Sequence, residues 1–268
     1  MMLRLWRSRL NIPRRTFWYI FRQLVERTKL FQVPVQVQES KMSALGLTRK
    51  DGLKRLDSVL KELMGKSYDE SDGMFSEHLI LLASISVNGI SVNKILEIGT
   101  FDGRTALILS RLFPSANIVT IDLPSNEEEF ENSYNRYNSL DTFLTKRKGY
   151  LSEAVNVEFR EVNSLELSKW EERFDLIWID GAHGYPVVAM DVINSFRLAS
   201  ENGYVLIDDI RITGSDSDRM YKSVGGFESL QALVEAKLIP SFYLFYKRLS
   251  GVFNTPGEKK YVGLFVKK

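Results

Sequence analysis

Acidic residues follow several of the apolar runs in this sequence, and they are the groups best able to do chemistry. Asp180 comes directly after one buried run, Asp208 and Asp209 come after another, and His183 follows three residues after Asp180. Clustered carboxylates repel one another unless a cation neutralises them. An oxygen-only set in a chain without cysteine favours a hard cation, Mg²⁺ first, then Ca²⁺ or Mn²⁺. The alternative is that these acids cap loops and bind backbone amides.

His183 is one of only two histidines in the chain. A neutral imidazole beside the acids could accept a proton from a substrate hydroxyl near neutral pH. It could equally bind a metal ion or cap the helix that follows. We therefore predict His183 as the general base, with Asp180 as its catalytic neighbour, and keep the other two roles open.

A glycine turn in residues 94–112 predicts a nucleotide site. The motif is E-x-G-x-x-x-G, formed by Glu97, Gly99 and Gly103 between a predicted strand and a predicted helix. A dinucleotide fold needs a glycine where this chain has Phe101, and a P-loop needs Gly-Lys-Ser/Thr where Gly103 precedes Arg-Thr. The loop thus favours a nucleoside ligand without a phosphate chain, or it is an ordinary strand-to-helix turn.

Two further strand ends carry polar residues suited to the same ligand. Asp122 ends the second predicted strand, about 20 residues after the turn, where nucleotide folds place the carboxylate that binds the ribose hydroxyls. Asn163 and Ser164 follow the third predicted strand. The alternative for Asp122 is a helix N-cap or a solvated loop acid.

The elements that must position these residues alternate between strand and helix. The pattern predicts an α/β fold with a doubly wound, seven-stranded, mostly parallel sheet, Rossmann-like, closed by one antiparallel strand. The predicted strands are 94–98, 117–121, 155–162, 174–179, 203–207, 241–247 and 260–266, and the predicted helices 105–112, 127–148, 187–198 and 227–236. Ligands of such sheets bind at the carboxyl ends of the strands, where the acids converge.

The first part of the chain predicts a helical extension. Residues 1–74 form the predicted extension and lid, and residues 75–268 the predicted catalytic domain. Within the extension we expect a linker or edge strand at 31–40 and a helix at 48–64. A second helix at 75–86 begins the catalytic domain and leads into the sheet.

Residues 1–30 form a basic arm, with eight Lys and Arg residues against the single acid Glu26. The chain carries a net +2, so the remainder is mildly acidic. Three interpretations stay open: a helix packed on the body or on a second copy, a helix on a membrane surface, and targeting or nucleic-acid contact. Arginines interrupt the apolar stretch, which argues against a signal peptide. The absence of cysteine is typical of a cytoplasmic protein, with membrane association left open by the arm.

The segments FDLIWIDGAH and ENGYVLIDD, together with Glu97-Ile-Gly99, Gly103 and Asp122, resemble the metal-dependent O-methyltransferases of the catechol, caffeoyl-CoA and antibiotic-sugar types. These are class I methyltransferases that use S-adenosylmethionine (SAM), and the resemblance covers roughly residues 75–210. It implies that SAM contacts Glu97, Gly99, Thr100, Phe101, Gly103, Asp122, Asn163, Ser164 and Asp180. Asn163 stands where the family more often has Asp, beside the adenine.

The resemblance also implies a metal site and a base. The metal ligands of the catechol type fall on Asp180, Asp208 and Asp209, the last being Asp where that type has Asn. The catechol type's basic lysine falls on His183.

The function implied is SAM-dependent O-methylation of a hydroxyl on a small molecule or sugar, assisted by a divalent metal ion, with Mg²⁺ as the expected metal. Nucleic acid is not expected as a partner, because the body is acidic and lacks an N-P-P-Y/F motif. The alternative is a non-catalytic SAM-fold module that docks to a partner or membrane through the basic arm. A homo-oligomer stays open.

Overall fold

The seven strands of the computed structural model form one sheet in the order β3-β2-β1-β4-β5-β7-β6. The structure describes residues 14–72, 75–128, 130, 140–214, 223–255 and 257–268. The strands are β1 Lys94–Ile98, β2 Asn117–Asp122, β3 Val157–Glu161, β4 Phe174–Ile179, β5 Ala199–Ile210, β6 Tyr243–Tyr246 and β7 Tyr261–Val266. Strand β7 runs antiparallel to both neighbours, and every other pairing is parallel. The predicted sheet is confirmed.

Helices flank this sheet on both faces. They are α1 Arg14–Thr28, α2 Val35–Ser43, α3 Arg49–Met64, α4 Glu77–Val87, α5 Arg104–Leu112, α6 Leu140–Glu153, α7 Val187–Leu198 and α8 Gly225–Glu235, with 3₁₀ turns at Ser164–Lys169 and Gly251–Asn254. The helix predicted at 127–148 appears as α6, and residues 129 and 131–139 of that prediction lie outside the described residues.

Strand β4 shows how the core is divided. Its run FDLIWI is buried on both faces, as expected for a central parallel strand. Successive side chains point to opposite faces, so Trp178 packs with α3 and α4 while Ile177 and Ile179 pack with α7 and α8. The N-terminal helices therefore share a core with the sheet, and the predicted division at residue 74 stays a prediction.

The prediction of a linker or edge strand at residues 31–40 was wrong. Helix α2 begins after Pro34, which is extended and stands at the N-cap. The alternating V-Q-V-Q pattern suggested a strand, but the buried residues of the helix are Gln38 and Met42, which are four positions apart. The Gln38 amide donates to Tyr246 O at 2.9 Å and accepts from Tyr246 N at 3.1 Å. Gln38 thereby satisfies backbone groups on edge strand β6 that another strand would otherwise pair.

The basic arm is described from residue 14 onwards. Helix α1 leaves Tyr19, Ile20 and Leu24 more than half exposed and buries Val25. Within the described part of the chain, every helix is too short or too polar to traverse a lipid bilayer.

Candidate active site

The glycine turn brings the ends of β1 and β4 into contact. Gly99 has φ +101°, and a Cβ there would lie 2.4 Å from the carbonyl oxygen of Asp180. The Asp180 N–H also donates to Ile98 O at 2.8 Å. Only glycine fits this approach, so the predicted cofactor loop and Asp180, the first of the predicted site acids after it, are fixed side by side.

Glu97 lies beneath this turn and is fully buried. Its Oε2 accepts from the Thr120 hydroxyl at 2.6 Å, and the Thr120 and Thr100 hydroxyls are 2.7 Å apart. Among the described residues Oε1 has no hydrogen-bond partner. Burial raises the pKa of Glu97 to about 8. The turn that contains Thr100 is therefore linked through Thr120 to a buried carboxyl group with an unused oxygen.

Asp122 ends β2 as predicted and is held against the same loop. Its Oδ2 accepts from Phe101 N at 2.8 Å, and its Oδ1 accepts from Leu123 N at 2.9 Å. The buried guanidinium of Arg147 approaches Oδ2 at 3.6 Å. Phe101 itself has φ +50°, which turns its amide toward the carboxylate. Asp122 is thus preorganised as an acceptor at the strand end.

Asn163 and Ser164 also lie at the predicted strand end, where they start a 3₁₀ turn. Asn163 caps it, since its Oδ1 accepts from Leu165 N at 3.1 Å, and its amide approaches Glu127 Oε2 at 3.4 Å. The carboxylate oxygens of the buried Asp191 have no hydrogen-bond partner among the described residues, and burial raises the pKa of Asp191 to about 6. Asn163 thus has structural partners in addition to the ligand role that was predicted.

Asp208 and Asp209 lie at a bulge near the end of β5. The pairing of β5 with β7 shifts register between Ile207 and Ile210, and Asp209 has φ +55°. In a regular strand, successive side chains point to opposite faces. Here the bulge brings both carboxylates to one ammonium group, that of Lys247, whose Nζ lies 2.5 Å from Asp209 Oδ1 and also bonds Asp208 Oδ2.

His183 lies between two of the acids. Its Nε2 is 3.7 Å from Asp180 Oδ1 and 3.7 Å from Asp209 Oδ2, and about a third of its side chain is exposed. Burial lowers the pKa of His183, although Asp209 and Asp208 oppose that shift. Burial and the charge of Asp208 raise the pKa of Asp180 well above its usual range. His183 is therefore arranged as a neutral imidazole that can accept a proton next to carboxyl groups.

The lysines lower the pKa values of the remaining two acids. Burial opposes ionisation of Asp208 and Asp209, but the charge of Lys247 outweighs it at both, helped at Asp209 by His183 and Lys260. The ammonium of Lys247 in turn has its pKa raised by these carboxylates despite burial. The pair Asp208 and Asp209 is thus ionised and already neutralised from within the chain.

This arrangement does not fit a divalent cation at Asp180, Asp208 and Asp209. Lys247 bonds one oxygen of each β5 acid, and Lys260 bonds the other oxygen of Asp209. Over the described ranges, no three His, Cys, Asp or Glu side chains are grouped to hold a metal ion. A cation would have to displace ammonium groups that carry the same sign of charge.

Comparison with known proteins shows what the central region is similar to. Residues 96–210, less than half of the chain, match the family model described as a methyltransferase domain. They span β1 to β5 and contain all the predicted site residues. The central region is therefore similar to methyltransferase domains. No curated protein sequence matches the chain.

Solved methyltransferase structures are similar to this chain at low sequence identity, and the first of them shows the shared fold. The O-methyltransferase TomG from Streptomyces achromogenes, involved in tomaymycin synthesis and solved with SAM, is 19% identical with a TM-score of 0.51, covering 87% of this chain and 96% of its own. An O-methyltransferase family protein from Burkholderia thailandensis is 13% identical with a TM-score of 0.45, covering 85% and 70%. The N-methyltransferase NodS from Bradyrhizobium japonicum is 18% identical with a TM-score of 0.41, covering 70% and 92%.

Sequence reasoning missed the two lysines of the candidate site. Lys247 directly follows β6 and Lys260 directly precedes β7. Strand β6 is parallel to β5, because both pair antiparallel with β7. Its carboxyl end therefore lies at the same edge of the sheet as Asp208. The rule that located the acids would have located Lys247, had it been applied to the closing strands.

The second histidine, His78, is a packing residue. It is buried, and its ring stacks on Trp178 with centroids 4.9 Å apart. Burial lowers its pKa to about 4.

Proposed function

We propose that this protein transfers the methyl group of SAM to a hydroxyl oxygen of a small molecule, a sugar among the candidates. The observation that carries the proposal is the position of His183. Its Nε2 lies 3.7 Å from Asp180 Oδ1, and the Asp180 backbone touches Gly99 of the cofactor loop. A base for the acceptor is thereby adjacent to the place where the methyl donor is expected.

The residues proposed to hold SAM fit a nucleoside with an amino-acid end. The Asp122 carboxylate ends β2 and is oriented by two backbone N–H groups, and this is the strand-end position that suits ribose hydroxyls. Glu97, whose Oε1 has no hydrogen-bond partner among the described residues, is the group proposed for the amino-acid end. Thr100 and Gly103 complete the turn, and Asn163, Ser164 and Asp180 are the remaining proposed contacts.

In this mechanism, SAM supplies a methyl group already activated on a sulfonium sulfur. The protein's task is to hold donor and acceptor in line and to remove one proton. His183 accepts the proton of the attacking hydroxyl at Nε2. Asp209, whose lowered pKa keeps it ionised, lies 3.7 Å from Nε2 and stabilises the positive charge that the imidazole gains. Asp180, whose pKa is raised, lies 3.7 Å from the same nitrogen and helps to position the ring. The predicted Mg²⁺ has no role in this mechanism, because two of the carboxylates that would bind it are paired with lysine ammonium groups.

A product analysis tests this proposal. The full-length protein is incubated with SAM and a panel of hydroxylated small molecules that includes sugars and phenols, and products are identified by mass spectrometry and NMR. We expect one class of acceptor to gain a methyl group on oxygen, with release of S-adenosylhomocysteine. Methylation on nitrogen only would contradict the proposal.

The competing hypothesis is a non-catalytic module that docks through its arm. It is favoured by one observation: α1 leaves Tyr19, Ile20 and Leu24 exposed next to a basic segment. A membrane with anionic lipids is the surface that such a helix suits. Binding to anionic vesicles together with failure to bind SAM would favour this hypothesis over catalysis.

A further inference from the structure

Lys247 occupies the point where the β5 carboxylates converge. Its Nζ lies 2.5 Å from Asp209 Oδ1 and bonds Asp208 Oδ2, while Lys260 bonds the second oxygen of Asp209. The side chain of Lys247 is only 16% exposed. The ammonium is therefore part of the site and not a surface charge that happens to be close.

The backbone around Lys247 fixes this position from two sides. Lys247 N donates to Lys260 O at 3.0 Å, and Lys247 O accepts from Glu77 N at 3.0 Å. The first bond continues the β6–β7 pairing, and the second ties the strand end to the start of α4. Because its backbone is hydrogen-bonded on both sides, Lys247 holds its ammonium group close to the carboxylates.

We propose that Lys247 supplies the positive charge that a divalent cation would otherwise supply here, so that this methyl transfer needs no metal ion. The inference rests on the proposed O-methyltransferase function. An ammonium has three N–H donors, and two of them are used by Asp208 and Asp209. The third is available, within the described structure, for one oxygen of the acceptor.

The acceptor class follows from this donor count. A metal ion with open positions can bind two neighbouring oxygens of a substrate at once. One N–H can bind only one. The site therefore selects an acceptor by a single hydroxyl, and an adjacent second oxygen is not required.

The reaction balances without a further reactant. The hydroxyl oxygen, held by Lys247, forms a bond to the methyl carbon while the sulfur–methyl bond breaks. The electron pair of that bond goes to sulfur, and the hydroxyl proton goes to His183. Lys247 stabilises the negative charge that develops on oxygen as the proton leaves.

Manganese binding tests the inference without an acceptor. The full-length protein is titrated with Mn²⁺ and free Mn²⁺ is read by electron paramagnetic resonance, with and without SAM. We expect no saturable site in the wild-type protein. Lys247→Met removes the charge at similar length, and we expect this variant to gain one saturable Mn²⁺ site that the wild-type protein lacks. Lys94→Met is the matched control, because Lys94 pairs with Glu172 at the opposite edge of the sheet.

Each outcome is informative. One tight Mn²⁺ site in the wild-type protein that is lost in Asp208→Asn would overturn the inference, and this result needs no lysine variant to fold. A folded Lys247→Met protein, verified by circular dichroism, that binds Mn²⁺ no better than wild type would also overturn it. Calorimetry with SAM on the same samples tests the proposed function separately. Failure to bind SAM would contradict the methyltransferase proposal, whereas the Mn²⁺ results bear only on the need for a metal ion.

Discussion

Gly99→Ala should destabilise the protein more than an ordinary glycine substitution. Two costs add at this position. A φ of +101° lies outside the conformations of L-residues, which costs about 1–3 kcal/mol. The new Cβ would also stand 2.4 Å from the Asp180 carbonyl oxygen, and the shift needed to relieve such overpacking costs about 1–3 kcal/mol more. The expected loss in the free energy of unfolding is therefore about 2–6 kcal/mol.

Urea denaturation measures this loss, with Gly65→Ala as the control. Gly65 ends α3 with φ +67°, and a Cβ there would meet nothing within 4 Å. It carries the conformational cost alone, about 1–2 kcal/mol. Equal losses in the two variants would refute the close approach of β1 and β4 on which the geometry of the site depends.

Three further predictions concern buried charges and the base. His183→Gln should lower kcat about 10²- to 10⁴-fold once an acceptor is known, with SAM affinity by calorimetry unchanged; a change in affinity alone would contradict the role of base. Glu97 has a pKa of about 8 when folded against 4.5 for the free side chain, so the unfolded state binds fewer protons between those values and stability falls as pH rises. Glu97→Gln should remove that fall, which is at most about 1.4 kcal/mol per pH unit, and urea midpoints at pH 5 and pH 8 measure it. Arg49→Ala should lower the free energy of unfolding by about 3–5 kcal/mol. The guanidinium lies 2.6 Å from the carboxylate of Glu77, which is only 2% exposed, so the substitution leaves a buried charge without its ion-pair partner. The double variant Arg49→Met/Glu77→Gln should recover most of this loss, and a single variant within about 1 kcal/mol of wild type would show that the pair contributes little.

The residues at the strand ends were predictable from sequence because one rule governs them. In a parallel sheet the carboxyl ends lie at one edge, so Glu97, Asp122 and Asp180 could be grouped from the order of apolar runs alone. The spacing of Asp122 after the glycine turn added a second, independent indication. Both depend only on local pattern and strand direction.

The state of the β5 acids was not predictable in the same way. The bulge that brings Asp208 and Asp209 to one ammonium depends on the register between β5 and β7, which are far apart in sequence. The position of Lys247 beside these acids depends on the direction of β6. Without that tertiary information, carboxylates that follow an apolar strand suggest a metal ion. In the fold, the ammonium groups of two lysines neutralise the β5 acids instead.

Helix α2 was mispredicted for a related reason. An alternating pattern over four residues is too short to separate a strand from the start of a helix. What decides it is the contact of Gln38 with the backbone of Tyr246, which is 208 positions away in sequence.

Calorimetric titration of the full-length protein with SAM tests the central claim most directly. Three proteins are compared: wild type, Asp122→Asn and the control Asp175→Asn. In the wild-type protein the Asp175 carboxylate also accepts two backbone N–H groups, at 2.8 and 3.1 Å, but it lies at the opposite edge of the sheet. We predict micromolar binding by wild type and Asp175→Asn in the presence of EDTA, and at least tenfold weaker binding by Asp122→Asn, about 1.4 kcal/mol. Absence of binding by the wild-type protein, or equal binding by all three proteins, would contradict the assignment of this strand edge as the SAM site.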